Sequence, residues 1–427
     1  MSFKKYISFS SPSILLQRRK VVNASALGYA ITFLFLVGLV CTGVVFISSV
    51  NKRLELNYNL KEHIIMDNYL SLKIGASMEN ELTKTIIHSA GDTTDITVKP
   101  WGAFKVVVAK TRHNNRRISK SAMIGMEINE NLPALYLPDN NQSLKLIGDT
   151  KIEGIAFLPE RGLERGYIAG KNYMNDKLLY GEQKKSEKYL PKIKALYQNL
   201  SLENFIKDTK KIDGIVKDTV FDFDQPTSLY TSIEPIYLEK SIKGNIIIHS
   251  FDSIFVSSKC KLENVILISP KVRFEKGFTG SVQVIAHDQI ICEEGVRLTY
   301  PSTLVLNETK MNIDKTNSGI ILKENVQVRG GILLLSQASN FRKPIRLNIA
   351  EKSLVAGIIY NQGETEIKGK VIGYLYTSSF NLKAGGGEYS NHLLDVLISS
   401  EKLPKEFIIP NWLDEEKSGK SKIMSCF

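Results

Sequence analysis

Four stretches in the second half of the chain repeat one pattern of apolar residues. They begin at Asp252, Pro270, Asp288 and Ser318. When the stretches are aligned, apolar residues fall in three columns: Ile254, Val272, Ile290 and Ile320; Val256, Phe274, Cys292 and Leu322; Cys260, Phe278, Val296 and Val326. Recurrence of this kind indicates a chain that winds in similar coils, with equivalent residues stacked on one another.

The spacing of the stretches predicts the size of one coil. The first three are 18 residues apart and the fourth follows after 30, so about a dozen extra residues within 300–317 are expected to form a loop. A coil of this length suits a parallel β-solenoid, in which short strands stack at about 4.8 Å per coil. The position before the third column holds Lys259, Gly277, Gly295 and Asn325. Because Gly and Asn accept a left-handed backbone, these positions are predicted corners of a mainly β fold.

A second similarity joins two distant segments. Residues 148–154 (GDTKIEG) and 363–369 (GETEIKG) both read G-[DE]-T-x-I-x-G. On this basis the first coils of the solenoid are predicted at 143–182, and the main solenoid at 237–400.

The segment between these two parts, residues 183–236, is predicted to be a helical insertion and linker. Its first half, 184–211, is rich in Lys, Glu and Leu and carries Pro191 and the capping candidate Ser201. Beyond the repeats, residues 392–398 are expected to form a short capping helix or strand. The charged tail at 401–427 is expected to be weakly ordered.

Residues 26–50 (ALGYAITFLFLVGLVCTGVVFISSV) contain no charge. At about 1.5 Å per residue, such a helix crosses a hydrocarbon core of about 30 Å. Arg18, Arg19 and Lys20 precede the run closely, whereas only Lys52 and Arg53 follow closely, so residues 1–25 are predicted to be a cytoplasmic tail. The run is longer than the apolar core of a signal peptide, which favours an uncleaved anchor. We therefore expect a single-pass protein of the bacterial inner membrane with its bulk in the periplasm.

The region after the anchor, residues 51–142, is predicted to be a helical stem followed by a small β-meander. Apolar residues recur at helical spacing up to about residue 90, and one face is expected to carry Ile64, Ile65, Tyr69, Leu72 and Ile74. Strands are predicted at 96–98, 104–109 and 121–126, with turns at 100–102 and 113–117.

The N-terminal segment resembles that of type IV pilins and pseudopilins. A basic leader precedes Gly28 and Tyr29, which open an apolar helix that continues into an amphipathic stem. The resemblance implies processing after Gly28. These families have a glutamate five residues into the mature helix, whereas this chain has Phe33 there.

The repeats resemble those of polymer-forming, bactofilin-like β-helices. Anchor, stem and repeats together resemble envelope proteins of gliding or surface-colonising bacteria. Bactofilins form cytoplasmic filaments, whereas this chain is expected to display its coils outside the membrane. The resemblance therefore implies the β-helix architecture.

No catalytic, cofactor-binding or metal-binding residue is predicted. The six histidines lack metal-ligand spacing, Gly330 and Gly331 are not followed by Lys-Ser/Thr, and no GxSxG motif is present. The enzymatic alternative is a glycan-cleaving β-helix. In that case Asp252 and Asp288, two coils apart, would form an inverting carboxylate pair near Arg273 or Arg297. An aspartate at a coil corner more often makes a turn hydrogen bond.

Charge and cysteine content exclude further classes of function. The net charge of +12 includes Lys4 and Lys5 and the basic cluster before the anchor, and the other basic residues lack the aromatic interleaving of a nucleic-acid binder. The four cysteines form no disulfide framework.

The sequence thus predicts a non-enzymatic, membrane-anchored envelope scaffold or adhesion and assembly protein. Its expected partners are the membrane, other envelope proteins or glycans, and further copies of itself through the solenoid ends. A minor pseudopilin-like component of a secretion or pilus apparatus, and the glycan-active enzyme, are the alternatives.

Overall fold

The computed structural model describes residues 24–78, 83–88, 91–128, 131–206, 209–214, 218–308, 318–336, 344–414 and 420–426. It divides into two compact units, Met1–His63 and Ile64–Phe427. The fold is mainly β. Its long helix is α1 (Ala24–Ala76), and its short helical segments are α2 (Ala195–Gln198) and the 3-10 turn Leu202–Asn204.

The strands of the first half are β1 (Thr83–Ile87), β2 (Thr93–Trp101), β3 (Phe104–His113), β4 (Arg116–Glu127), β5 (Leu135–Tyr136), β6 (Leu144–Ile147), β7 (Lys151–Glu153), β8 (Ala156–Leu158), β9 (Leu163–Arg165), β10 (Tyr167–Ile168), β11 (Lys171–Asn172), β12 (Gln183–Lys185), β13 (Thr209–Ile212) and β14 (Thr219–Phe221).

The strands of the second half are β15 (Thr227–Ser232), β16 (Ile236–Leu238), β17 (Ser241–Gly244), β18 (Ile246–Ser250), β19 (Ser253–Val256), β20 (Lys261–Phe274), β21 (Thr279–Cys292), β22 (Arg297–Glu308), β23 (Gly319–Leu322), β24 (Gln327–Ser336), β25 (Arg346–Ile349), β26 (Leu354–Ile367), β27 (Lys370–Ala384), β28 (Gly387–Ser390), β29 (His392–Leu394), β30 (Leu397–Ser399), β31 (Ile408–Ile409) and β32 (Ser421–Cys426).

In the first unit, α1 is long and apolar enough to cross a membrane, and none of its most apolar stretch is buried against protein. Large apolar side chains such as Phe33, Leu36 and Phe46 are exposed. Side chains of this kind gain free energy only when another apolar medium covers them.

In the second unit, the last turns of α1 pack on an antiparallel sheet. The buried stripe of the helix consists of Ile64, Asn68, Ser71, Leu72, Gly75 and Ala76. The predicted face was therefore partly wrong, since Tyr69 and Ile74 are exposed. Asn68 is buried in their place, and its Nδ2 group donates to the Ala109 carbonyl at 2.8 Å.

The antiparallel sheet is built from the predicted meander. Strands β1, β2, β3 and β4 pair in order, and the three predicted strand segments lie within β2, β3 and β4. The predicted turns fall at Gly102 and at Asn114, both with left-handed backbone. The stem helix ends at Ala76, earlier than predicted.

The larger sheet is parallel, and its strand order closes on itself. Ile254 pairs with Val272, Val272 with Ile290, and Ile290 with Ile320. The second predicted column is in register in the same way, and the side chains of all three columns are buried. The alignment of the four stretches is therefore confirmed.

The corner positions follow the prediction with one exception. Gly277, Gly295 and Asn325 have left-handed backbone, and Lys352 continues the series. Lys259 is not among the left-handed residues. Because Lys352 is a lysine with left-handed backbone, the residue type alone does not explain the exception at Lys259.

The extra residues of the longest coil lie later than predicted. Gln283 pairs with Thr303, whereas Gln289 pairs with Gly319. Most of the insertion therefore follows β22, which runs on to Glu308. The predicted loop start near residue 300 was wrong because Leu304, Val305 and Leu306 are buried in the sheet. Residues 309–317 lie outside the described part of the chain.

The segment 143–182, predicted to form the first coils, lies at the end of the parallel sheet where β27 and β30 are found. Strand β5 pairs with β27, and β7 pairs with β30. Ile152 is in register with Ile398 and Val371, whereas Ile367 pairs with Ile349. The segments 148–154 and 363–369 therefore occupy different positions in the sheet. The prediction that the coils of 143–182 resume at residue 237 was wrong. These strands cover β27 and β30, which would otherwise leave backbone groups unpaired at the end of the sheet.

The predicted helical insertion was also wrong. Between 183 and 236, the described residues form one helix of 4 residues, a 3-10 turn and four strands. Tyr197, Leu200 and Phe205 are buried in a cluster with Ile193. Burial of these side chains outweighs the helical propensity of the Lys, Glu and Leu residues around them.

The C-terminal region is packed rather than weakly ordered where it is described. Strands β31 and β32 both pair with β4, and the Trp412 side chain is fully buried. The 392–398 segment forms β29 and the start of β30, which pair with β6 and β7. The tail prediction failed because the apolar residues Ile408, Ile409 and Trp412 are few and lie among charges.

Candidate functional site

The two aspartates of the enzymatic hypothesis differ in environment. Their neighbours Ser253, Lys271 and Gln289 are in register, so Asp252 and Asp288 occupy equivalent places two repeats apart. Asp252 is exposed, whereas Asp288 is 3% exposed. A substrate held in solvent therefore does not reach both carboxylates, which an inverting pair requires.

The two arginines considered with them are both at the surface. The Arg273 guanidinium lies 2.6 Å from the Glu293 carboxylate. Arg297 begins β22 and is exposed.

A serine, a histidine and an aspartate meet where the stem helix packs on the antiparallel sheet. Ser71 Oγ lies 3.3 Å from His88 Nε2, and His88 Nδ1 lies 3.6 Å from Asp67 Oδ1. Thr94 Oγ1 lies closer to the same His88 nitrogen, at 2.9 Å. Because Ser71 and Thr94 are fully buried, no substrate reaches the hydroxyl, and the arrangement joins helix to sheet. No motif in the sequence indicated it, because Asp67 and Ser71 lie one turn apart on the stem helix and His88 joins them only through the packing of the sheet on that helix.

No cluster of three or more His, Cys, Asp or Glu residues suited to a metal occurs among the described residues. Cys260 and Cys292 are buried, and the cysteines in the described part of the chain are unbridged. Burial raises the pKa of the Cys260 thiol to about 12 and raises that of Cys292 as well. Both thiols therefore stay protonated and unreactive.

An open groove of about 520 Å³ lies on the outer side of the parallel sheet. Tyr237, Phe255 and Arg273 form its outward column, because β16, β19 and β20 pair in register at these residues. The Tyr237 and Phe255 rings are stacked, with centroids 5.0 Å apart and planes inclined by 11°. Tyr237 is 70% exposed. The main solenoid was predicted from residue 237, but the aligned stretches began only at Asp252, so the stacking of Tyr237 on Phe255 was not predicted.

Arg273, Lys276 and Glu293, which line this groove, form ion pairs with other charged residues along the sheet. The Glu293 carboxylate accepts from Lys323, with the two charged atoms 2.6 Å apart, and from Arg273. These contacts, led by the hydrogen bond from Lys323, hold the pKa of Glu293 below its ordinary value of 4.5.

Glu275, further along the groove, is held by the corner of the coil before it. Its carboxylate accepts from the Ser258 backbone N–H at 2.7 Å and from Ser257 Oγ at 2.9 Å. The Ser258 N–H is the largest cause of the lowered pKa of Glu275. Lys276 lies 2.7 Å from Glu294.

A second cleft, of about 470 Å³, lies between the antiparallel sheet and the segment 204–247. Trp101 and Phe223 meet edge to face in it, with centroids 5.0 Å apart. The Lys99 ammonium donates to Thr227 Oγ1 and Asn245 Oδ1, both at 3.3 Å. These contacts fasten one sheet to the other, and the Trp101 side chain is buried among them.

Comparisons with known proteins identify no family. No family model and no curated protein matches the chain. Among solved structures, the competence-associated pilin ComZ from Thermus thermophilus aligns with 87% of this chain and 95% of its own, at 9% identity and a TM-score of 0.19. A TM-score this low does not indicate a common fold, so the alignment carries no argument about this protein.

Proposed function

We propose that the chain is a non-enzymatic, membrane-anchored scaffold of the bacterial envelope, with a β-solenoid of about 18 residues per coil. The observation that carries the proposal is an uncovered apolar helix in the same chain as a parallel sheet with an aliphatic interior. The helix serves as the anchor. The sheet presents side faces on which other envelope proteins or glycans dock.

The solenoid interpretation is supported by strand register. Ile236, Ile254, Val272 and Ile290 pair successively at intervals of 18 residues, and their side chains point into one apolar core. Strands paired in parallel at this interval stack at about 4.8 Å per coil. Such a stack resists bending because each coil is hydrogen-bonded to its neighbours.

The orientation follows from the basic residues before the anchor. In our proposal the N-terminus is cytoplasmic and the sheet is periplasmic. Cys426, which is exposed, offers a native reporter. A membrane-impermeant maleimide should label Cys426 in spheroplasts with an intact inner membrane. In a Ser2→Cys, Cys426→Ser variant, labelling should need lysis, and the reverse pattern would invert the topology.

The anchor is tested by fractionation of cells. The wild-type chain should stay with membranes after alkaline carbonate extraction. Replacing Leu36 and Val40 by arginine places two charges near the middle of the apolar run, each at a cost of about 2.5–3.5 kcal/mol. That variant should leave the membrane fraction, whereas Leu36→Ala with Val40→Ala should remain. Extraction of the wild-type chain by carbonate would contradict the proposal.

Self-association through the ends of the solenoid belongs to the same proposal. Exposed apolar side chains lie at or next to β14, β15 and β18, namely Val220, Ile233 and Phe251. Exposed apolar groups beside strand edges favour pairing with another chain. Analytical ultracentrifugation of the full chain in detergent micelles should detect oligomers that grow with concentration. A chain that stays monomeric at every concentration would contradict self-association.

A pseudopilin-like role is the second candidate. It is favoured by the way the last turns of α1 cover an antiparallel sheet through Leu72 and Ala76. N-terminal sequencing of the protein extracted from its native membrane separates the two. A start near Met1 supports the plain anchor, and a start at Tyr29 supports the pseudopilin.

A further inference from the structure

The groove beside Tyr237 differs from the rest of the outer face of the parallel sheet. Further along the same outward column stand Ile291, Ile321 and Asn348, which are half-buried. At the groove the column holds a stacked aromatic pair followed by Arg273. Tyr189 is equally exposed, so exposure alone does not mark a site; Tyr237 differs because it stacks on a second ring beside paired charges, which together form a surface for a ligand.

The pairing of the charges indicates which ligand the groove takes. Glu293 is engaged by Lys323 and Arg273, and Glu275 by the corner at Ser257 and Ser258. An anion would have to displace Glu293 from Arg273 or Glu294 from Lys276, and it would meet the Glu239 carboxylate in the same groove. A neutral ligand with hydroxyls meets no such cost, because the paired groups still have surface for further hydrogen bonds.

A neutral saccharide combines the two properties that the groove selects. Its ring has an apolar face of C–H groups that stacks on an aromatic side chain, and its hydroxyls both donate and accept hydrogen bonds. One sugar residue in an extended chain has about the length of one coil, about 4.8 Å. Successive sugars therefore fall beside successive coils, from Tyr237 to Phe255 and then Arg273.

We propose that the groove formed by Tyr237, Phe255, Arg273, Glu275 and Glu293 binds a neutral glycan chain. The inference rests on the proposed scaffold function, and it names the partner and the face that meets it. Tyr237 supplies the stacking surface. Arg273 and Glu275 supply the hydrogen bonds that orient the sugar ring.

The test is isothermal titration calorimetry on the full chain in nanodiscs of zwitterionic lipid. The titrants are tetra-N-acetylchitotetraose and cellotetraose, which are neutral, and tetragalacturonate, which is anionic. We expect one of the neutral tetrasaccharides to bind more tightly than tetragalacturonate.

Variants locate the binding surface. Tyr237→Ala should weaken binding about tenfold, and Tyr237→Phe, which keeps the ring, should bind within about threefold of the wild type. Tyr189→Ala is the matched control, since Tyr189 is 73% exposed and lies outside the groove. Arg273→Gln should weaken binding severalfold. Unchanged thermal melting of each variant ensures that a loss of binding reports the groove.

Three results would overturn the inference: no binding of either neutral tetrasaccharide, equal binding by Tyr237→Ala, or preference for tetragalacturonate. If the oligomers dissociate in the Tyr237→Ala variant and no saccharide binds, the groove serves contacts between copies. That result would also overturn the inference. A chain that stays in the membrane but binds no saccharide refutes only this inference. A chain absent from the membrane refutes the scaffold proposal itself.

Discussion

Three glycines in successive coils test whether the backbones approach as closely as the structure indicates. Gly330, Gly357 and Gly373 are in register, and their φ angles are 142°, 133° and 136°. A Cβ added to Gly357 would lie 2.0 Å from the carbonyl oxygen of Gly330. That oxygen belongs to a paired strand and has no room to rotate away.

The expected cost of Gly357→Ala combines two effects. The backbone conformation costs an L-residue about 1–3 kcal/mol. The overlap also forces β26 away from β24 and weakens at least one ladder hydrogen bond, worth about 1 kcal/mol. The free energy of unfolding should therefore fall by about 3 kcal/mol.

Two other glycines separate these effects. Gly277 has a φ of 78° with nothing within 4 Å of an added Cβ, so Gly277→Ala should cost about 1 kcal/mol. Gly214 has open space and no left-handed backbone, so Gly214→Ala should be neutral or stabilise by up to about 1 kcal/mol.

Urea unfolding of the full chain in micelles, followed by far-UV circular dichroism, gives the order of stability. Hydrogen exchange should accelerate in β24 and β26 of the Gly357 variant but not in β19, because each coil touches only its neighbours. Equal midpoints for the Gly357 and Gly277 variants would refute the close approach and the register that produces it.

Three further outcomes follow from burial and charge. Trp412→Ala should lower the free energy of unfolding by about 3–5 kcal/mol, measured by the same urea method, because the ring is fully buried. Because the pKa of Glu293 is depressed in the folded state, its contribution to stability is present above pH 4.5 and is lost as the pH falls through the folded-state pKa. Glu293→Gln removes this contribution, so the urea midpoints at pH 7 and pH 4 should differ less in the variant than in the wild type. Iodoacetamide at pH 8 should modify Cys426 in the folded chain and Cys292 only in urea, as read by peptide mass spectrometry, and labelling of native Cys292 would contradict its burial.

Only part of the outer groove could be predicted from the sequence. The column of Phe255 and Arg273 follows from the repeat, since alternate residues of a strand point outward. Tyr237 joins this column only because β16 pairs with β19. The sequence before β16 carries no repeat signal from which that pairing could be predicted. Pairing of Glu293 with Lys323 joins residues 30 apart in the chain, a spacing set by the insertion after β22.

The sequence by itself determined the elements whose signal is local and periodic. The uninterrupted apolar run specifies a long exposed helix, and the 18-residue recurrence specifies which residues line the parallel sheet. Alternation within a strand and repetition between strands are properties that each segment carries without reference to its partner.

Only the tertiary structure decided which segment covers which edge. Strands β5 and β7 pair with β27 and β30 although more than 200 residues separate them, and β32 pairs with β4 across almost the whole second unit. A short strand pairs through backbone groups that every residue has, so its sequence does not name its neighbour. The polar contacts of Asn68 and the burial of Trp412 were decided in the same way, by what the completed fold brought beside them.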